Sequence, residues 1–169
     1  MDNEYFLDKF KRVADSIDKS ILDQNGLEIS IGIVLNSVYS KLYKPEWTND
    51  INNPLDAEAR IFFSIWVNEK TILEKKVFYN IHAFKLRKLK GYSILSREFA
   101  ESFRKQFLKY QSNWENISVE FGPLTLMQGW IELKEENFEN DISNLTSNFI
   151  KIEYLIDNTL QTFQLESKM

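Results

Sequence analysis

The sequence predicts an α+β fold. It comprises a single, mainly antiparallel sheet of about five strands with three helices, in the order α-β-β-β-α-β-β-α. Three observations carry this expectation. Apolar residues recur at helical spacing near both ends of the chain and once in the middle. Between these segments the period switches to two, and the links from strand to strand are short, which favours antiparallel pairing. The 169-residue length, with 43% hydrophobic and 27% charged residues, suits one domain with a real core.

Residues 3–21 read as the first helix. Phe6, Phe10, Val13, Ile17 and Ile21 fall on one stripe, Asp2 or Asn3 caps the start, and Asn25-Gly26 stops it. Over 27–43 the chain alternates as a strand, with Leu27, Ile29, Ile31, Ile33 and Leu35 on one side. The polar stretch 44–58 holds two of the three prolines and reads as a long loop suited to binding. Residues 59–67 and 75–89 are rich in aromatic and β-branched side chains. They form a hairpin across a tight turn at Asn68-Glu69-Lys70. Ser96 caps a second helix running to Tyr110 on Phe99, Phe103 and Phe107. Trp114, Ile117, Val119 and Phe121 mark a fourth strand, and 124–134 a fifth. A long helix over 138–163 closes the chain on the stripe Phe138, Ile142, Leu145, Phe149, Ile152, Ile156, Leu160 and Phe163. Packing of that stripe on the sheet is the first expectation, and its width also makes part of the helix, with the sheet edge it covers, the candidate surface for a homodimer.

Several classes of function are excluded or disfavoured. No cysteine means no disulfide, thiolate nucleophile or cysteine-ligated zinc. The chain shows neither a membrane-length apolar run nor a basic-then-apolar leader, so a cytoplasmic location is expected. Its bias toward Ile, Asn and Lys suggests an AT-rich bacterial or phage genome. The five glycines make no phosphate-cradling loop. The single histidine, His82, has no triad partner in the sequence, and no catalytic residue, metal ligand or cofactor is assigned. Acid-x-Lys triplets at 74–76, 132–134 and 166–168, with Asp50 and Asp56 upstream of the first, match the pattern of small Mg²⁺-dependent nucleases. Their number is close to chance for a chain with 25 acids and 16 lysines.

The positive signals are aromatic content and charge distribution. The chain carries 13 Phe, 7 Tyr and 4 Trp, a residue class enriched at interfaces. Net charge is −4 over residues 1–60, +7 over 61–110 and −7 over 111–169. The bases centre on Lys85, Arg87, Lys88 and Lys90. Read as a strand through this stretch, Phe84 and Leu86 face the core, while Tyr79, Ile81, Lys85 and Arg87 face outward. Tyr79, Ile81, Lys85, Arg87, Lys88 and Lys90 are therefore the expected partner-binding residues, and a protein with an acidic surface is the expected partner. The corresponding function is a non-enzymatic protein-binding module of chaperone, adaptor or inhibitor/immunity type. The alternative is a nucleic-acid-associated protein, with a small metal-dependent nuclease as one form of it. The element order resembles that of the small acidic chaperones of bacterial secretion systems, which implies a homodimer holding client segments on helix and sheet surfaces. The 44–58 loop and the basic middle third depart from that class.

Overall fold

A computed structural model describes residues 2–165. Its centre is one five-stranded antiparallel sheet in the order of the sequence: β1 (Glu28–Val34), β2 (Ser37–Tyr43), β3 (Arg60–Val67), β4 (Lys76–Phe84) and β5 (Thr125–Glu132). Six helices accompany it: α1 (Asn3–Ser16), α2 (Lys19–Gln24), α3 (Glu69–Leu73), α4 (Ser96–Phe107), α5 (Phe138–Ile152) and α6 (Tyr154–Thr162). The α+β class and the antiparallel sheet are as expected, with more helical segments than three. The triplet 166–168 lies outside the described residues. No described helix is long and apolar enough to cross a membrane.

The helical layer seals one face of the sheet. From that face Leu42, Ile61, Phe63, Ile65, Tyr79, Ile81 and Leu126 meet Phe10, Phe103, Phe107, Phe138, Phe149 and Ile156, all buried. The Phe63 and Phe149 rings stack 4.5 Å apart and 5° from parallel, with Trp114 edge-on to Phe63 and Trp47 edge-on to Phe149. Gly129 lies opposite Tyr79 on this face because a Cβ there would strike the Tyr79 hydroxyl. That hydroxyl instead donates to the Glu115 carbonyl at 2.6 Å.

Several local expectations are corrected. The first helix breaks at Ile17, whose backbone is extended, and Asp18 starts α2 by accepting from the Ser20 amide and hydroxyl. Asp2 caps α1 as expected. The strand at 27–43 is two strands joined by a two-residue turn at Leu35-Asn36, both left-handed, with φ of 47° and 63°. The turn at 68–70 is the start of α3, capped reciprocally by Asn68 and Thr71. The strand at 75–89 stops at Phe84, because Lys85 turns left-handed (φ 49°) into a 3₁₀ turn. Ser96 does not cap α4, whose N-cap residue is Leu95. The fourth strand around 114–121 reduces to one bridge, Ser118 with Gln128. The final helix divides at Glu153, and its stripe from Phe138 to Leu160 packs into the core, as first expected.

A buried ionic contact sits at that division. The Lys44 ammonium lies 2.7 Å from the Glu153 carboxylate and 2.6 Å from that of Asp157, and the Trp47 indole donates to Asp157 at 2.8 Å. Lys44 and Glu153 are both buried. The two carboxylates hold the Lys44 pKa above its ordinary 10.5 despite burial. This ionic knot ties the start of the 44–58 segment to the joint between α5 and α6. Lys44→Met, which leaves Glu153 buried and uncompensated, should cost about 3–5 kcal/mol in urea unfolding at pH 7. In the wild type, the native state holds a proton that the unfolded state releases above pH 10.5. The knot's contribution is therefore complete below that pH and fades above it, an alkaline slope that Lys44→Met should lack.

Candidate functional site

Among the described residues no helical layer covers the other face of the sheet, and β2, β3 and β4 present alternate residues on it. Cross-strand register builds two rows. Tyr39, Trp66, Phe78 and Trp130 lie side by side, and Lys41, Ser64, Asn80 and Gln128 form the next row. Phe62, His82 and Phe84 continue the face toward Arg60. A cleft of about 400 Å³ runs across these residues, from Val34 and Leu35 at the hairpin tip to Arg60 and Phe84.

This corrects the expected orientation of β4. Tyr79 and Ile81 are fully buried on the helical side, so Phe78, Asn80, His82 and Phe84 are the outward set. Of the expected bases, Lys85 and Lys88 both reach Glu58, at 2.9 and 2.7 Å, pulling its carboxyl down to about 2. Arg87 and Lys90 are exposed, with no carboxylate in ion-pair reach among the described residues. All four lie on the turn and tail after β4 rather than on the strand.

The cleft has aromatic walls and a polar floor. Trp66 stacks on Phe78 at 5.5 Å, and His82 on Phe84 at 4.9 Å, with Phe62 against both His82 and Phe84. On the floor the Ser64 hydroxyl donates to Asn80 Oδ1 at 2.7 Å. Asn80 Nδ2 is 3.1 Å from Gln128 Oε1 and 2.9 Å from His82 Nε2, so His82 accepts there and carries its proton on Nδ1, toward the Leu124 carbonyl. Burial first, then the charges of Lys41 and Arg60, push the His82 pKa below 6.5, which keeps the ring neutral at pH 7.

Two cations occupy this surroundings of rings. The Lys41 ammonium lies 4.5 Å from the Tyr39 ring centre and 4.8 Å from that of Phe62. The Arg60 guanidinium lies 5.0 Å from Phe84 and 5.6 Å from Phe62. Neither has a carboxylate within ion-pair distance among the described residues. Arg60 donates through Nη1 to the Ala57 carbonyl at 2.6 Å, while its Nε is buried with no partner. Burial lowers both pKa values, and mutual repulsion lowers that of Lys41 further. Asp56, in the 3₁₀ turn 54–56 of the long loop, opposes the shift only through space. The arrangement can receive a carboxylate or another anion between flat apolar walls.

No single segment of the sequence marks the cleft as a site, although Phe78, His82 and Phe84 stand as rings among the bases of the middle third. The signal of the cleft was the basic and polar punctuation Lys41, Arg60, Ser64, Asn80 and His82 inside otherwise apolar strands. A smaller hollow of about 200 Å³ lies between β5 and α5, beside Glu115, Glu132 and Asp141. The described residues hold no group of three or more His, Asp or Glu able to bind a metal ion. Asp56 precedes β3 and Glu74 follows it, so the eight residues of that strand hold them about 25 Å apart. Comparison with known proteins finds no family model, no curated protein and no solved structure that matches the chain.

Two outcomes are expected. Lys41→Met removes an uncompensated, partly desolvated cation and should raise the melting temperature. As pH falls below 6.5, the unfolded chain takes up a proton that the native His82 refuses, so stability drops across that window. His82→Gln should lose that part of the acid slope, read from urea unfolding at pH 7 and pH 5.5.

Proposed function

We propose that this protein is a non-enzymatic protein-binding module that holds an acidic segment of its partner in the aromatic cleft on the open face of its sheet. The observation that carries this reading is the pair Lys41 and Arg60: two cations among aromatic rings, with no carboxylate of their own in reach among the described residues. A desolvated cation is costly, and an incoming carboxylate offsets that cost. Tyr39, Trp66 and Phe78 supply the flat, low-entropy contact area typical of binding hot spots. Lys85, Arg87, Lys88 and Lys90 lie on the turn and tail that follow Phe84 and act mainly on the rate of approach, since exposed charges steer more than they hold. The apolar stripe of the final helix is spent on the core, so any self-association uses another surface.

The same rings could stack nucleobases, and the test separates the two. Fluorescence anisotropy is measured with a labelled peptide of alternating Glu and Tyr and with a labelled single-stranded RNA of similar length. The peptide should bind the wild type in a salt-sensitive manner. The double variant Lys41→Glu/Arg60→Glu should weaken it about tenfold or more through faster dissociation. Lys85→Glu/Arg87→Glu should chiefly slow association. Tighter binding of the RNA, or peptide binding indifferent to the Lys41/Arg60 reversal, would overturn the proposal.

A further inference from the structure

The two edges of the sheet are treated differently. At β5, several outward backbone groups are occupied. Gln128 exchanges both hydrogen bonds with Ser118, Asn116 Nδ2 donates to the Trp130 carbonyl, and Arg104 donates to the carbonyls of Leu126 and Thr125. At β1 nothing comparable exists. Among the described residues, no hydrogen bond from outside the β1–β2 ladder reaches the backbone of residues 28–34.

The hairpin determines which groups are left free. Val34 and Ser37 flank the two-residue turn and form the hydrogen-bonded pair that closes it. Alternation along an antiparallel ladder then assigns Gly32, Ser30 and Glu28 to β2, and Ile29, Ile31 and Ile33 direct both N–H and C=O to the open edge. Natural edge strands are usually guarded by lysine, proline or a bulge. β1 has none of these, and its one charged residue is Glu28 at its first position.

We infer that this edge pairs antiparallel with β1 of a second copy, about a two-fold axis through Ile31. The strand is self-complementary in that register. Ile31 exchanges both bonds with Ile31 of the second copy, and Ile29 does so with its Ile33. Ser30 faces Gly32, and Glu28 faces uncharged Val34, so no like charges meet. The register also brings Leu35, 93% exposed at the hairpin tip, beside Leu27 of the second copy. β-Branched pairs facing each other across a ladder are favourable, and the product is a ten-stranded sheet whose two clefts lie on one continuous face. This inference is independent of what the clefts bind.

Light scattering after size exclusion should give twice the 20.1 kDa chain mass for the wild type. The register is read by cross-linking, because the chain has no cysteine of its own. A hydrogen-bonded antiparallel pair sets Cα atoms about 5.5 Å apart, within disulfide reach. Ile31→Cys alone should therefore form a covalent dimer under mild oxidation. Ile29→Cys and Ile33→Cys should each fail alone and cross-link when mixed. Ile33→Pro, which loses no intrachain bond because that N–H faces outward, should halve the mass. A wild type at single-chain mass at 100 μM, or Ile31→Cys no faster to cross-link than an exposed Leu73→Cys control, would overturn the inference. If Ile33→Pro fails to fold, the cysteine series decides alone.

Discussion

The fold depends on the buried contact of Lys44 with Glu153 and Asp157. β2 ends at Tyr43, and its continuation must cross from the sheet to the helical layer before the chain can return as β3. A polar segment crossing there would leave unsatisfied groups against the core. Lys44 instead delivers its charge to two carboxylates on the joint of α5 and α6, and Trp47 enters the core beside Phe149 with its indole N–H satisfied by Asp157. The contact bridges more than a hundred residues of chain, so it fixes tertiary arrangement rather than local structure. It also sets where the long loop begins, and hence where its 54–56 turn borders the cleft.

The open sheet face is built against stability. Its floor network satisfies Ser64, Asn80 and Gln128 internally, which holds the strands in register without needing water. Above the floor the balance changes. Lys41 and Arg60 are partly desolvated among aromatic rings and repel one another. By contrast, the buried Lys44 has two acids within ion-pair distance. Lys41 and Arg60 thus form an uncompensated site, and the proposed binding of an acidic segment rests on that condition.

Much of the fold was legible in the sequence because periodicity reports burial. The stripes of α1, α4 and α5 are core, as their spacing requires. What failed has physical causes. The face of β4 was inverted because both of its sides are apolar: Val77, Tyr79, Ile81 and Ala83 on one, Phe78 and Phe84 on the other. Leu86 is buried as well, but the left-handed Lys85 ends the strand before it, so its burial reports the following turn. The 27–43 hairpin was missed because its turn is Leu35-Asn36, without the glycine that usually signals a two-residue loop. The break at Glu153 is not legible in the apolar stripe, which runs on through it while the backbone there stays helical. The cleft required β2, β3 and β4 in register, and no single segment encodes that.

Leu35 combines two unfavourable traits, a left-handed backbone that leucine resists and an apolar side chain almost wholly in water. It touches no part of the core and lines the mouth of the cleft. Exchange at this position leaves the packing of the molecule unaltered while changing what the cleft meets first. On the proposed function, the hairpin tip is where partner preference can diverge at little cost to core packing, whereas Tyr39 and Trp66, paired across β2 and β3, are bound into the sheet and far less free to vary.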